Sequence, residues 1–386
     1  MSEQHPSSEQ LHFSEHLRSS ERLRSSGQLP VSEQLLFLDR QAVLACLAHV
    51  DVCEEVTQVL CRHAEGRVEL PAEGYLLWPN SEGAYCRSLA MLGAVDIDGG
   101  PPLRGMKLIN AATSNPSHGR ERAAGLVMLF DPETARPRVL AEAGWLSATR
   151  TAAYTMVGLR HLGPERWDAT AFLGCGMLAR VHIGLLATTY PRVTRLHLYD
   201  TDPRRAEELA AWVRERHPHH TVRVSPGARQ AVAAAQVVVT TTTADRGYLP
   251  AAWLAPGTFV AHVSLADLLP DAFLAAQGVF VDDVALVADN PRRVLGQLMR
   301  EGRITGDHLP TDHDSPGVGS ALTAASAKAL SGTLGQVLIG ERPPVRPTTS
   351  HVISNPFGMA VLDVGLLGAV YGAAVRLGLG RPLTLY

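Results

Sequence analysis

Lysine is almost missing from this chain. Of its 35 basic residues 33 are arginine, and only Lys107 and Lys328 are lysine. A biased genome explains the preference, but a retained lysine marks a place where a compact ammonium able to lose its proton has been kept. Cysteine is scarce as well: Cys46, Cys53, Cys61, Cys86 and Cys175 are odd in number and form no Cys-x-x-Cys pair. That usage argues against a disulfide scaffold or a zinc ribbon and suits a reducing cytoplasm. Neither sign of charge dominates, since 35 basic side chains meet 38 acidic ones for a net charge of −3. Such a balance leaves no electrostatic footprint for nucleic acid or an anionic membrane. No Walker-type Gly-Lys-Ser and no Ser-His-Asp order stand out, so phosphoryl transfer and triad hydrolysis lack support. No apolar stretch follows a basic start, which argues against secretion. One long apolar run does occur, at 358–380, but Asp363 and Arg376 lie inside it. It reads as a buried helix rich in Gly and Ala rather than a membrane span.

What is present is globular material: 386 residues, 46% hydrophobic and 19% charged, about right for two packed domains. The first 34 residues differ. Ser-Glu recurs at Ser2, Ser8, Ser14, Ser20 and Ser32 with a spacing that matches neither a helix face nor a heptad seam, so 1–34 reads as a disordered tail. Apolar residues at helical spacing then cover 41–62, with Asp39 as the N-cap. Short strands broken by Gly and Pro follow at 75–78, 86–91, 105–109 and 125–130, and Asp131-Pro132 reads as a turn. Residues 35–150 therefore form a mixed domain with a sheet. After a helix over 147–162 the rhythm changes. Strand 169–173, helix 177–188 and strand 195–199 begin an alternation that runs to 278–281. That βαβ pattern predicts an α/β fold over 151–330, a Rossmann-type doubly wound parallel sheet.

Its first turn carries the strongest signal, Gly174-x-Gly176-x-x-Ala179 between a strand and a helix. Gly174 permits the tight turn, and Gly176 lets the backbone approach a pyrophosphate. Ala179 allows close helix–strand packing, while the helix N-terminus offers free N–H groups to the anion. Asp200 closes the next strand, where an acidic side chain binds ribose hydroxyls and disfavours a 2′-phosphate. NAD(H) is thus preferred over NADP(H). Arg204 and Arg205, just beyond, read as solvated residues of the following helix.

Two cations suit a substrate carboxylate. Lys107 lies in an apolar strand and Arg150 on the helix before the Gly-rich turn; together they form a guanidinium–ammonium clamp. The competing readings are a lysine that snorkels to solvent and an ordinary helical surface arginine. Further on, the segment Phe259 to Asp267 ends a predicted strand with polar residues, where ligands bind in open parallel sheets. Asp267 is a candidate for moving a proton at an amine or water, with His262 titrating in the useful range. A satisfied core histidine and a helix-capping aspartate are the alternatives. Asp307, His308, Asp312, His313 and Asp314 crowd one Gly- and Pro-containing stretch, which reads as a loop and not as a metal site.

Several segments, taken in order, resemble the ornithine cyclodeaminase/mu-crystallin family: GMKLINAATSNP at 105–116, LFDPETARP at 129–137, EAGWLSATRTAA at 142–153, GCGMLA at 174–179, LYDTDP at 198–203, TTTTA at 240–244 and SNPFGMAVLD at 354–363. The resemblance covers roughly 40–386. Within it, HVSLADLLPD at 262–271, Val281-Asp282-Asp283 and Asn355-Pro356-Phe357-Gly358 look most like the N-(2-amino-2-carboxyethyl)-L-glutamate dehydrogenase branch, which serves 2,3-diaminopropionate biosynthesis. Cyclodeaminases carry a Gly-Gly-Asp-x-Pro-Gly-Lys run where this chain has Ser264-Leu265-Ala266-Asp267, and the lysine of that run is missing. Relatives have an early-strand arginine where this chain reads Tyr75-Leu76-Leu77-Trp78; Arg87 on the next strand is the substitute. An aromatic-Pro-Gly-Asn turn of the diaminopropionate branch is replaced by Thr113-Ser114-Asn115-Pro116.

The resemblance implies an enzyme that transfers hydride at an amino-acid C–N bond through an imine. Lys107, Arg150 and Arg87 would hold substrate, with Lys107 also at the reacting centre beside Asp267 and His262. Gly174, Gly176, Met177, Leu178, Asp200, Thr240, Thr241 and Ser264 would hold NAD(H). It further implies a homodimer built through an α+β substrate and dimerisation domain at 35–150, completed by a C-terminal segment at 331–386. Other readings are a cyclodeaminase with catalytic NAD, an imine reductase, and a binding protein like mu-crystallin itself.

Overall fold

The computed structural model describes residues 34–290, 293–306 and 327–385. The tail before Gln34 and the Asp307–Asp314 stretch lie outside the described residues.

The chain builds two eight-stranded sheets. The first contains β1 (Gln34–Leu38), β2 (Val68–Glu69), β3 (Gly74–Pro79), β4 (Tyr85–Ile97), β5 (Gly100–Ala112), β6 (Ala123–Phe130) and β7 (Pro137–Glu142). Most neighbours are antiparallel hairpin partners, and the β6–β7 hairpin turns at Asp131 as expected. The second is wholly parallel: β8 (Ala169–Leu173), β9 (Arg195–Tyr199), β10 (Thr221–Val224), β11 (Val237–Thr240), β12 (Phe259–His262) and β13 (Gly278–Val281). A two-residue pair, β14 (Ile304–Thr305) with β15 (Lys328–Ala329), stands apart from it. β16 (Gly332–Thr333) and β17 (Val352–Ser354) complete the parallel sheet in the order β10-β9-β8-β11-β12-β17-β13-β16. Last comes β18 (Arg381–Thr384), antiparallel to β1 at the edge of the first sheet.

Every residue of β8, β11, β12 and β13 is buried, as a sheet covered on both faces requires. The strand order reverses between β8 and β11, and the crevice beyond their carboxyl ends is where such sheets bind ligands.

Six helices of eight or more residues pack on this frame: α1 (Arg40–Leu47), α2 (Val52–Ala64), α3 (Ala143–Leu162), α4 (Met177–Thr189), α5 (Pro203–Arg216) and α6 (Ala360–Leu377). Asp39 caps α1, its carboxylate accepting the Ala42 N–H at 3.0 Å. The single helix read over 41–62 is broken, because Asp51 takes the Cys53 and Glu54 N–H groups and starts α2 anew. In the C-terminal segment, the parallel sheet holds the chain through Ser354 in β17, the short helix Leu334–Leu338 already packs on α2, and α6 and β18 join the first sheet. β1 already begins at Gln34, the last residue of the expected tail.

α6 is long and apolar enough to cross a membrane, yet most of it is buried inside the fold. It lies against β4, β5 and β6 of the first sheet and against α2 and α3. Val361, Leu362, Val364, Leu366, Leu367 and Val370 are all buried there. Each such side chain contributes about 1.5–3 kcal/mol. This packing carries Asp363 into the interior as well.

Candidate active site

Gly174 ends β8 with φ +90°, and a Cβ on it would sit 2.8 Å from the Thr241 carbonyl. Only glycine fits both conditions. The close approach is bound on the other side: Thr241 N–H donates to Leu173 O at 2.8 Å and its hydroxyl to Gly174 O at 2.8 Å. Around Gly176 the situation is opposite. A Cβ there would meet nothing within 4 Å, and no side chain caps the start of α4, where Met177 and Leu178 stand. The first N–H groups of α4 thus face open space, the arrangement that receives a pyrophosphate. Asp200 accepts the Cys175 N–H at 2.8 Å and the Asp202 N–H at 3.0 Å, which fixes its carboxylate beside the turn. These residues fit a dinucleotide. The Cys175 thiol within the turn is pushed up to about 12 by burial and by Asp200, so it stays protonated and unreactive.

Beyond β11 and β12 lies a buried polar cluster. Asp267 is fully buried, with one oxygen accepting from Thr242 Oγ1 at 2.5 Å and Tyr248 Oη at 2.9 Å and the other from Ser264 Oγ. The Ser264 hydroxyl lies 2.7 Å from Thr240 Oγ1, tying the ends of the two strands together. Burial works to raise the Asp267 pKa, but His262 and the hydroxyl hydrogen bonds outweigh it and hold the carboxyl below its usual range. Asp267 does not cap the short helix that follows, Pro270–Ala275, which starts without a side-chain cap. His262 Nδ1 pairs with Asn355 Oδ1 at 2.6 Å, and its Nε2 has no hydrogen-bond partner and lies 3.6 Å from Asp267. With Nδ1 engaged by an acceptor, Nε2 is the atom left to take a proton, and Asp267 stabilises the resulting charge.

Lys107 does not snorkel. It is 2% exposed, and its ammonium donates to Asp363 Oδ2. Arg150, buried on α3, reaches the same oxygen with Nε at 3.1 Å. Asp363 therefore joins the two cations read as a clamp. Burial and then the Arg150 charge push Lys107 down to about 8, against the pull of Asp363. Arg150 also lies under the turn after β17: Nη1 and Nη2 are 3.1 and 3.2 Å from where a Gly358 Cβ would stand, and Gly358 has φ +105°. The same turn is held by Asp282, which accepts the Phe357 and Gly358 N–H groups at 2.6 Å each. One short segment, 355–358, thus links the His262–Asp267 cluster to the Lys107–Arg150–Asp363 cluster.

Arg87 lies on the face of β4 that also carries Met91, the partner of Lys107, so it shares the Lys107 side of the sheet. Its Nε is buried and has no hydrogen-bond partner among the described residues. Glu73 couples this group to the clamp. Burial raises its pKa, while Lys107, Arg87 and Arg150 pull it back.

Asp363, Asp282, Glu73 and Arg293 were not singled out as site residues from the sequence. Asp363 had a signal, an acidic residue alone in an apolar helix, but that signal was used only against a membrane span. Arg293 had none, since its place depends on contacts across 64 residues.

Residues 34–377 match the ornithine cyclodeaminase/mu-crystallin family. The N-((2S)-2-amino-2-carboxyethyl)-L-glutamate dehydrogenase of Staphylococcus aureus (strain NCTC 8325 / PS 47) is 26% identical over 334 residues, 86% of this chain and 93% of the relative. The crystal structure of CmnK shares 54% identity at a TM-score of 0.82, over 92% of this chain and 99% of CmnK. An archaeal alanine dehydrogenase dimer with bound NAD, at 20% identity and a TM-score of 0.73 over 92% of this chain and 100% of that one, shares the fold. The chain belongs to the ornithine cyclodeaminase/mu-crystallin family.

Proposed function

We propose that this chain is an NAD(H)-dependent oxidoreductase that oxidises the C–N bond of an N-substituted amino acid, with N-(2-amino-2-carboxyethyl)-L-glutamate as the substrate, in amino-acid-derived specialised metabolism. The observation that carries the reading is the 355–358 segment, which ties the Lys107–Arg150 cluster to the His262–Asp267 cluster beside the nucleotide crevice. The Gly174–Leu178 turn, Asp200, Thr240, Thr241 and Ser264 hold the cofactor. Bound there, the nicotinamide supplies the acceptor for the hydride on the substrate's α-carbon.

The protein's own part is positioning and proton handling. Lys107 and Arg150 bind the α-carboxylate, and Asp363 keeps both cations in one geometry. As the C–H pair leaves, the nitrogen lone pair forms the C=N bond of an imine. Water adds to that carbon as His262 Nε2 takes its proton with Asp267 beside it; the proton then passes to the nitrogen, and the C–N bond breaks as the new hydroxyl gives up its own proton and becomes the carbonyl. Release of 2,3-diaminopropionate as the amine requires oxidation on the glutamate side, with 2-oxoglutarate as the keto acid.

The protein works in the cytoplasm as a homodimer. Its five cysteines are unbridged. The outer face of the first sheet exposes Leu76, Trp78, Leu92 and Leu126, and β3 pairs with β4 on one side only, an apolar edge that a second copy covers.

The test is NADH absorbance with product masses for N-(2-amino-2-carboxyethyl)-L-glutamate, ornithine, lysine and alanine. Steady NADH with diaminopropionate supports the proposal. A cyclic product without net NADH moves the chain to the cyclodeaminases, whose side-chain amine closes on the imine before hydride returns. Turnover only from keto acid, amine and NADH makes it an imine reductase in its working direction.

A further inference from the structure

Besides Lys107 and Arg150, two guanidinium groups flank the same turn and sheet face, Arg293 and Arg87, and the described carboxylates leave donors on both unpaired. Arg293 is 4% exposed. Its Nη2 donates to Phe357 O at 3.2 Å and its plane lies 5.3 Å from the Phe357 ring, while Nε and Nη1 have no hydrogen-bond partner among the described residues. Phe357 and Gly358 are consecutive, so Arg293 and Arg150 flank one turn. Arg87 shares the Lys107 face of the sheet, and its buried Nε is also unpartnered. Arg122, whose carbonyl accepts the Ala112 N–H at 3.1 Å, stands level with Ala112 and Cys86, the register of the opposite face, and so is left outside this group.

Three carboxylates face these cations. Asp363 is taken by Lys107 and Arg150, and Asp282 by the Phe357 and Gly358 N–H groups. Glu73 is left, and it already accepts from Tyr75 at 2.8 Å. Burial pushes Arg293 down to about 10. A buried guanidinium with unpaired donors is costly, and a carboxylate meeting it edge-on relieves that cost.

We infer that Arg293 and Arg87 form a second anion subsite, which takes the further carboxylates of a polycarboxylate substrate while Lys107 and Arg150 take the α-carboxylate. The inference rests on the proposed C–N chemistry for its orientation. Its content is specificity: a plain monocarboxylate amino acid engages only Lys107 and Arg150, and a polycarboxylate engages Arg293 and Arg87 as well.

The experiment is calorimetric titration of the full chain saturated with NADH, using glycine, iminodiacetate and N-(carboxymethyl)-L-glutamate, which carry one, two and three carboxylates. Affinity should rise about tenfold with each added carboxylate, the size of one good charge-assisted pair. Arg293→Gln should flatten the series, and Arg87→Gln should shorten it in the same sense, which keeps the test alive if the buried variant does not fold. A flat wild-type series overturns the inference, as does an Arg87→Gln protein that loses glycine and the tricarboxylate in equal proportion. A steep series in a protein that oxidises no amino acid supports the subsite and removes the proposed reaction, so the two failures are distinct.

Discussion

In the proposed reaction Lys107 binds the substrate carboxylate, and its surroundings give it a measurable signature. Buried and beside Arg150, it titrates near pH 8 instead of the ordinary lysine range. It carries charge below that pH and loses it above, so kcat/KM for the amino-acid substrate should fall with a single ionisation as pH rises through about 8. Asp363 is the group that pulls the Lys107 pKa up. Asp363→Asn removes that pull while burial and Arg150 remain, so the falling limb should move to lower pH. A limb that stays in place would separate the titration from Lys107. The same change leaves two buried cations without their carboxylate and costs about 3–5 kcal/mol of stability.

The glycine turn allows a cleaner pair of substitutions. Gly174→Ala combines a left-handed φ with a 2.8 Å clash against Thr241 and should destabilise the fold by about 1–3 kcal/mol. Gly176→Val meets no protein atom within 4 Å of its Cβ and should leave the melting temperature nearly unchanged. It should still weaken NADH binding at least about tenfold, because the new side chain fills the backbone's approach to the pyrophosphate. NADH fluorescence titration beside thermal unfolding reads both. Equal NADH affinity in wild type and Gly176→Val would remove the cofactor from this turn.

Among elements, α3 and α4 are joined by a histidine that is structural. His182 is fully buried, with Nε2 3.0 Å from Thr155 Oγ1 and Nδ1 2.8 Å from Leu178 O. Burial lowers its pKa to about 4, below the value near 6.5 of an unfolded chain. The unfolded state then binds the extra proton first. The stability this provides is complete above about pH 6.5 and is lost as pH falls toward 4, roughly 3 kcal/mol in all. His182→Gln cannot titrate, so urea midpoints measured from pH 7 to 4.5 should fall less steeply in the variant than in wild type. Parallel slopes would contradict the assignment.

Elements were the most legible level of the sequence. β8 and β13 begin and end where the apolar runs do, because a strand buried on both faces needs an unbroken run, while the half-buried β9 and β10 show instead the alternation of apolar and polar residues. The break between α1 and α2 was not legible, since the apolar spacing continues through it and only the Asp51 cap interrupts the helix. The site divides the same way. The turn at Gly174–Ala179 is local in sequence and could be read directly. The ion cluster is not local: Asp363 meets Lys107 across 256 residues, and such a pairing leaves no periodicity to detect.

For the whole molecule, the division of labour is between a parallel sheet that receives the cofactor and a mixed sheet, closed by α6, that supplies the cations. The mixed sheet also carries the exposed apolar edge. Trp78→Asp with Leu92→Asp places charges on that face, 42% and 46% exposed in the single chain, and should convert a dimer to a monomer in sedimentation velocity. A wild-type monomer at micromolar concentration would contradict the dimer outright.

The most direct test of the proposed reaction follows one atom. N-(2-amino-2-carboxyethyl)-L-glutamate deuterated at the glutamate α-carbon is incubated with the enzyme and NAD, and the deuterium is located by mass spectrometry. Deuterium in NADH, together with unlabelled diaminopropionate and 2-oxoglutarate, is the predicted result. Deuterium retained in a cyclised product, or left in unreacted substrate, would contradict it.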